Sequence, residues 1–269
     1  MACAIHINLD IMDALTAAAL MAAGFVAGVM NSIAGGGTLV TFPALIFAGL
    51  PSVVANATST VALLPAALSS AAGYRTQVRS VVRWLKVFAP VSLLGGLVGG
   101  ILLVQTPSKV FDWLVPFLIL FATILFMANN AVARYFGTRV RVTETPADGR
   151  SKIWPVLFQF FVALYGGYFG AGIGILMLAS LGLQGFQDVH EMNALKVILG
   201  FLINVVAALY FVITGLIVWW CAGVMVVGTI LGGYAGAHYA QRVPQARVRS
   251  VITAIGLIIA GVMFHRQLL

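Results

Sequence analysis

Long apolar runs dominate this sequence and set the first expectation about its fold. Residues 14–74 contain no Asp, Glu, Lys, Arg or His. As one continuous helix this stretch would extend roughly 90 Å, about three times the ~30 Å thickness of a hydrocarbon core. Three prolines (Pro43, Pro51 and Pro65) and the glycines at 35–37 interrupt it. The pattern therefore predicts a long first helix, a short helix near 38–49 and a third helix near 52–74.

Further apolar runs predict seven more helices. They lie near 86–104, 110–133, 153–170, 174–186, 190–213, 217–239 and 248–265. The segments 38–49 and 174–186 are shorter than the ~20 residues that a full membrane span needs, which is typical of broken or re-entrant helices. The predicted fold class is an all-α polytopic membrane protein with about five helical elements in each half.

The amino-acid composition agrees with a membrane protein. Hydrophobic residues make up 61% of the chain, charged residues only 8%, and the mean hydropathy is +1.05. Soluble domains carry about 25% charged residues. The first thirteen residues lack a basic segment and contain Asp10 and Asp13, so we expect no secretory signal peptide there. The two cysteines, Cys3 and Cys221, suggest neither a disulfide framework nor a metal site.

The second half of the sequence repeats the first. Gly35 and Gly172 stand 137 residues apart (172 minus 35), and the same spacing relates several other pairs. These are Gly37 and Gly174, Leu39 and Leu176, Asn56 and Asn193, and Gly95-Gly96-x-x-Gly99 with Gly232-Gly233-x-x-Gly236. We therefore expect an N-terminal repeat over 1–134, a cytoplasmic linker over 135–152 and a C-terminal repeat over 153–269.

Clusters of basic residues predict the orientation of the helices. They occupy three connections: Arg75, Arg79, Arg83 and Lys86; Arg134, Arg139, Arg141, Arg150 and Lys152; and Arg242, Arg247 and Arg249. Basic loops face the cytoplasm in most membrane proteins. The loop near Thr214, which corresponds to the first cluster, is uncharged and is expected outside. Corresponding loops on opposite faces predict two inverted-topology repeats, with both termini outside.

Two glycine-rich breaks are the best candidates for a functional site. Gly35, Gly36 and Gly37 form the first, and Gly170, Gly172 and Gly174 form the second. Glycine is unfavourable inside a helix by roughly 1 kcal/mol relative to alanine. Irregular backbone at membrane depth survives where protein buries it or where it lines a cavity. The helix that follows a break presents free N–H groups and a positive dipole end, which favour an anion.

Polar residues near the two breaks complete the predicted substrate site. They are Asn31, Thr38, Asn56, Thr58, Ser59, Asn193, Lys196 and Asn204. Some have simpler interpretations: Asn56 and Asn193 as residues near helix starts, Lys196 as a side chain that reaches the interface or pairs with Glu191. Gly95, Gly96, Gly99, Gly232, Gly233 and Gly236 have no polar neighbours, so we favour close helix packing for them.

Motifs for enzymatic chemistry are missing from the sequence. The four histidines are His6, His190, His238 and His265, and no serine stands in a Gly-x-Ser-type turn beside one of them. There is no His-Glu-x-x-His motif, and no Asp or Glu stands deep in a predicted span. We therefore expect a protein that is not an enzyme, with no catalytic residues, no metal site and no cofactor.

The motifs at the two breaks resemble those of the TauE/SafE family, also called the toluene-sulfonate uptake permease family. The first half carries Asn31-x-Ile33-Ala34-Gly35-Gly36-Gly37-Thr38-Leu39-Val40-Thr41-x-Pro43-Ala44-Leu45, then Gly49-Leu50-Pro51 and Ala55-x-Ala57-Thr58. The second half carries Gly166-Gly167-Tyr168-Phe169-Gly170-Ala171-Gly172-x-Gly174, Asn193-x-x-Lys196-Val197 and Asn204. The resemblance implies a bacterial inner-membrane carrier of sulfur-containing anions such as sulfite, sulfonates or thiosulfate. Because Cys221 is the only cysteine in a predicted span, we favour sulfite or a small sulfonate such as sulfoacetate.

The expected mechanism is secondary transport by alternating access between the two repeats. The expected partners are a small anion, the lipid bilayer and coupled protons, and no nucleic acid, although the net charge is +8. A passive anion channel, a thiosulfate carrier and a membrane scaffold remain alternatives. The sequence leaves the oligomeric state, the direction of transport and the coupling ion open.

Overall fold

Helices are the only regular secondary structure among the residues that the computed structural model describes, which are 14–33, 36–73, 78–139, 153–184, 186, 188–239 and 245–268. These residues form ten α-helices and no strand. The helices are α1 (Ala14–Ile33), α2 (Thr38–Phe47), α3 (Ser52–Gly73), α4 (Val78–Gln105), α5 (Ser108–Arg139), α6 (Ile153–Tyr168), α7 (Ile173–Leu183), α8 (Val189–Ile213), α9 (Trp219–Tyr239) and α10 (Gln245–Leu268). The predicted all-α fold with five elements in each half is confirmed.

Six of these helices, α1, α3, α4, α5, α8 and α9, are long and apolar enough to cross a membrane. Large apolar side chains cover their outer surface: Trp113 is 59% exposed, Leu231 55% and Ile124 52%. Soluble monomers rarely expose contiguous apolar surface on this scale. The chain is therefore a multi-pass membrane protein.

The two short helices have the lengths predicted for interrupted elements. α2 has 10 residues and α7 has 11. At 1.5 Å per residue each is about 15 Å long, which is half of a ~30 Å hydrocarbon core. Each follows a glycine break, and each is followed by a longer helix, α3 or α8.

The helices of the two halves are interleaved rather than packed as separate bundles. α1 packs most extensively against α9, and α6 packs in the same way against α4. α3 contacts α9 as α8 contacts α4, and α2 contacts α10 as α7 contacts α5. If each helix is replaced by its equivalent in the other half (α1 by α6, α2 by α7, and so on), each of these contacts becomes another contact of the same set. Neither half could bury its core without the other.

The directions of the helices add to this pattern. α5 and α10, which occupy equivalent places in the two halves, run antiparallel: the Phe117 ring packs on Phe264, while Thr123 lies against Gly256. Equivalent helices run antiparallel when a two-fold axis in the membrane plane relates two repeats. The inverted orientation of the repeats relative to a membrane stays a prediction, and this packing supports it.

Glycines bring the interleaved helices into backbone contact, as predicted for close packing. A Cβ atom on Gly95 would lie 2.8 Å from the Phe160 carbonyl oxygen of α6. A Cβ on Gly228 would lie 2.8 Å from the Phe25 amide nitrogen of α1. Gly96, Gly99 and Gly232 are equally close to facing backbone or side-chain atoms, whereas a Cβ on Gly233 would meet nothing within 4 Å.

These contacts correct the predicted correspondence between α4 and α9. Gly95 meets residues 160, 163 and 164, and Gly228 meets residues 21, 24 and 25 in the same arrangement. The structural equivalents therefore stand 133 residues apart (228 minus 95), not 137. The difference of four residues is about one helical turn, so a glycine pattern can match at either spacing.

The boundary between the repeats lies mostly outside the described residues. α5 continues to Arg139, so the first residues of the predicted linker 135–152 are helical. Residues 140–152 are not described. The domain boundaries at 134 and 153 remain predictions, as does the orientation argued from the basic loops.

Candidate functional site

The first break lies between α1 and α2, and Gly36 and Gly37 are its described residues. Gly36 has φ +89°, a conformation that side chains with a Cβ rarely adopt. The Gly37 amide, immediately before α2, donates a hydrogen bond to the Asn31 side-chain oxygen at 3.0 Å. Asn31 therefore holds the break by capping α2. Gly35, which was predicted for this site, lies outside the described residues, and Thr38 is the first residue of α2.

Behind this break lies a buried pair of hydroxyl groups. The Thr41 and Ser59 side-chain oxygens are 2.6 Å apart, and both residues are 0% exposed. Thr41 Oγ1 also donates to the Gly37 carbonyl at 3.2 Å. α2 and α3 are thus joined by a polar contact inside the core. Ser59 was predicted as a site residue, but its hydrogen bond with Thr41 was not.

The second break also contains glycines with positive φ, but different hydrogen bonds hold it. Gly170 has φ +78°, and Gly172, the residue before α7, has φ +76°. The Tyr165 hydroxyl donates to the Ala171 carbonyl at 2.7 Å and fixes the loop between these glycines. A Cβ on Gly172 would lie 3.6 Å from Ala122, so this glycine faces α5 rather than α8.

Lys196 of α8 lies against the first turn of α7. A Cβ on Gly174 would lie 3.3 Å from Lys196 Cδ, so the lysine stem passes directly over this glycine. The Lys196 ammonium donates to the Asn193 side-chain oxygen at 2.9 Å. In the part of the chain that the structure describes, no carboxylate pairs with it, and the predicted alternative of an ion pair with Glu191 is not formed there. Gly174, Asn193 and Lys196 therefore form one cluster at the second break.

Asn56 links the first half of the chain to the second break. Its side-chain nitrogen donates to the Tyr168 carbonyl at 3.0 Å, across 112 positions of sequence. The aromatic rings of Phe42 in α2 and Phe169 in the second break pack edge to face with centroids 5.4 Å apart. The two breaks are thus adjacent in the core. Asn56 is 1% exposed, and its side-chain oxygen has no hydrogen-bond partner among the described residues.

Two predicted site residues have partners that the sequence could not indicate. Thr58 Oγ1 accepts a hydrogen bond from the Val218 amide at 3.2 Å, so its hydroxyl caps the start of α9. Asn204 donates to the Gly200 carbonyl of its own helix at 2.8 Å rather than to a neighbouring helix. A Cβ on Gly170 would lie 3.9 Å from Asn204 Oδ1, so this amide still borders the second break.

Sequence comparison identifies relatives along nearly the whole chain. The family model described as "Sulfite exporter TauE/SafE" matches residues 20–263. A "Probable membrane transporter protein" of Haemophilus influenzae is 28% identical over 253 residues, which cover 93% of this chain and 95% of the relative. "Probable membrane transporter protein ORF9" of a Sinorhizobium species is 28% identical over 90% of this chain and 89% of its own length.

A third relative is more distant. "Probable membrane transporter protein YfcA" of Escherichia coli K12 is 24% identical over 96% of this chain and 93% of its own length. No solved structure matches the chain. Because the family model covers residues 20–263 of 269, this protein belongs to the TauE/SafE sulfite exporter family.

Proposed function

We propose that this protein is a secondary carrier that moves small sulfur-containing anions, such as sulfite or sulfoacetate, across the bacterial inner membrane. The observation that carries the proposal is the Lys196 ammonium, which lies at the second break without a carboxylate partner among the described residues. Lys196 is partly buried, and taking an unpaired ammonium out of water costs free energy. A bound anion would offset that cost, and the neutral Asn193 oxygen offsets only part of it.

The first turn of α7 supplies further donors beside the lysine. The Gly174 amide has no hydrogen-bond partner among the described residues. Free amides at a helix start and the positive end of the helix dipole both favour an anion. Because Gly174 has no side chain, a ligand can approach this backbone closely. An oxyanion would therefore be held by one cation and by oriented N–H groups.

The choice of sulfur oxyanions rests on the family. The family is described as sulfite exporters, and the relatives carry only the general name of probable membrane transporters. Helix starts and a single lysine suit sulfite and small sulfonates, because these anions present several oxygens on one small centre. Cys221 is buried among apolar side chains, 1% exposed, which does not favour a thiol relay for thiosulfate.

The interleaved halves suggest how access alternates. The Asn56 side chain donates a hydrogen bond to the Tyr168 carbonyl. A residue of the first half therefore contacts the second break, close to the proposed anion site. Rocking of one repeat against the other would make and break contacts of this kind and expose the site to each side in turn. A channel would need a continuous polar path instead, and the aromatic packing of Phe42 on Phe169 between the breaks does not favour one.

Thermal unfolding of the purified protein in detergent tests the anion site. We expect sulfite or sulfoacetate to raise the unfolding midpoint of the wild type above its value in chloride. A ligand at a hundred times its dissociation constant stabilises the folded state by about 2.7 kcal/mol. Lys196→Met keeps the aliphatic stem over Gly174 but removes the charge, so it should abolish the shift. Lys109→Met removes an exposed lysine and serves as the matched control.

Two results would count against the proposal. In the first, no sulfur oxyanion raises the midpoint more than chloride does. In the second, Lys196→Met keeps the full shift, which would place the anion elsewhere. A membrane scaffold whose glycines serve only packing predicts the first of these results.

A further inference from the structure

Asn56 and Asn193 occupy equivalent positions in the two halves, but their side-chain oxygens differ in hydrogen bonding. Asn56 stands four residues after the start of α3 at Ser52, and Asn193 stands four residues after the start of α8 at Val189. Residues three apart lie on one face of a helix. Three residues after Asn193 comes Lys196, whose ammonium bonds the Asn193 side-chain oxygen. Three residues after Asn56 comes Ser59, and the Asn56 oxygen has no partner among the described residues.

The orientation of the Asn56 amide is fixed by its neighbour. Tyr168 offers a carbonyl oxygen, which can only accept, so the amide nitrogen of Asn56 must face it. The amide oxygen therefore points elsewhere, and Asn56 is only 1% exposed. A buried acceptor without a partner is costly, and native structures rarely keep one without a reason.

Neither hydroxyl of the Thr41–Ser59 pair forms a hydrogen bond with the Asn56 side-chain oxygen. Thr41 Oγ1 lies 3.2 Å from the Gly37 carbonyl oxygen and 2.6 Å from Ser59 Oγ, and either hydroxyl can be the donor in the second contact. Ser59 Oγ and Thr41 Oγ1 then keep unused lone pairs, as does Asn56 Oδ1. All three residues are at most 1% exposed. These three oxygens can therefore offer lone pairs to a cation.

We propose that Asn56 Oδ1, Ser59 Oγ and Thr41 Oγ1 contribute to a binding site for a monovalent alkali cation, with Na⁺ as the ion to test. In the second half the Lys196 ammonium holds the equivalent position as a cation that cannot leave. A divalent ion would call for carboxylate ligands, and this cluster has none. Broken helices in secondary transporters offer unwound carbonyls to such ions.

The role of this cation site in transport rests on the proposed anion carrier. A cation bound in the first half would couple to an anion bound at Lys196 in the second, because the Asn56 amide touches both regions through Tyr168. An alkali cation would then take the place of protons as the coupling ion. Binding of the cation itself needs no substrate and can be measured alone.

The experiment is a thermal-unfolding titration of the full-length protein without any anionic substrate. NaCl replaces N-methylglucamine chloride at constant chloride and ionic strength, so only the cation changes. We expect Na⁺ to raise the midpoint of the wild type in a saturable way. Thr41→Val and Ser59→Ala each remove one oxygen with little change of shape, and each should weaken the apparent Na⁺ affinity about tenfold or more.

Two further variants make the test specific. Thr123→Val removes another fully buried hydroxyl, in α5, which donates to the Ile119 carbonyl of its own helix. It should leave the Na⁺ dependence unchanged. Ser59→Lys copies the second half, so its ammonium should take the Asn56 oxygen and make the midpoint independent of Na⁺.

The proposal is overturned if Na⁺ and N-methylglucamine give the same midpoint in the wild type, or if Thr41→Val and Ser59→Ala keep the wild-type Na⁺ affinity. In either case a sulfite shift that depends on Lys196 would leave the anion carrier standing and remove only the cation site. A Na⁺ shift without a sulfite shift would keep the cation site and sink the anion carrier.

Discussion

At the scale of single residues, the breaks depend on glycines in a left-handed conformation. Gly170 has φ +78°, and a Cβ there would also lie 3.0 Å from the Gly166 carbonyl oxygen. A side chain in this conformation costs roughly 1–2 kcal/mol. We expect Gly170→Ala to lower the free energy of unfolding by about that amount, measured by denaturation in detergent. Gly223→Ala is the control, because a Cβ there meets nothing within 4 Å. Equal stability of the two variants would contradict the role given to the break.

Several polar residues of the site could be predicted from the sequence, but their hydrogen-bond partners could not. Asn31, Asn193 and Lys196 were predicted for the site, and the structure places each beside a glycine break or in a bond close to it. Polar and charged side chains are unusual within apolar sequence, so these residues could be identified from the sequence. The bond from Asn56 to Tyr168 joins residues 112 positions apart, and no local pattern encodes such a partner.

At the scale of helices, backbone contact between α1 and α9 depends on particular glycines. A Cβ on Gly232 would collide with the Phe25 backbone, whereas one on Gly233, the next residue, would meet nothing within 4 Å. Overpacking of a core costs typically 1–3 kcal/mol. Gly232→Ala should therefore lower the unfolding midpoint, and Gly233→Ala should not. A chemical-denaturation series on both variants checks this, and similar losses for both would refute the assigned packing face.

Helix positions were largely predictable because charge and apolar length define them. The third helix was expected near 52–74 and spans Ser52–Gly73, and the eighth was expected near 190–213 and spans Val189–Ile213. α4 begins at Val78 rather than near 86, because its first turns carry basic residues and remain helical. Apolar length marks the hydrocarbon region, and a helix can continue beyond it.

At the scale of the whole molecule, the prediction of inverted repeats fixes which loops face the cytoplasm. Thr214 and Arg83, both exposed, should lie on opposite sides of the membrane. In a variant carrying Cys3→Ser and Cys221→Ala, we expect Thr214→Cys to react with an impermeant maleimide on intact cells. Arg83→Cys should react only in inside-out vesicles, since basic loops stay inside. Labelling of both positions from the same side would rule out the proposed orientation.

The interleaving of the halves could not be read from the sequence, although the repeat could. A constant spacing predicts that two halves resemble each other but not that α1 packs on α9 and α6 on α4. The spacing itself varies along the chain, because Gly95 corresponds in the structure to Gly228. Tertiary packing selects among glycine matches that differ by one turn, and sequence alone does not.

Counterflow in liposomes tests the central claim, which is a carrier with Lys196 at its anion site. Proteoliposomes loaded with unlabelled sulfite and diluted into ³⁵S-labelled sulfite should accumulate label transiently, because a carrier exchanges one anion for another. Lys196→Met should remove the accumulation, and Lys109→Met should keep it. Label that only equilibrates, whatever the internal load, would identify a channel. Counterflow that persists in Lys196→Met would contradict the site.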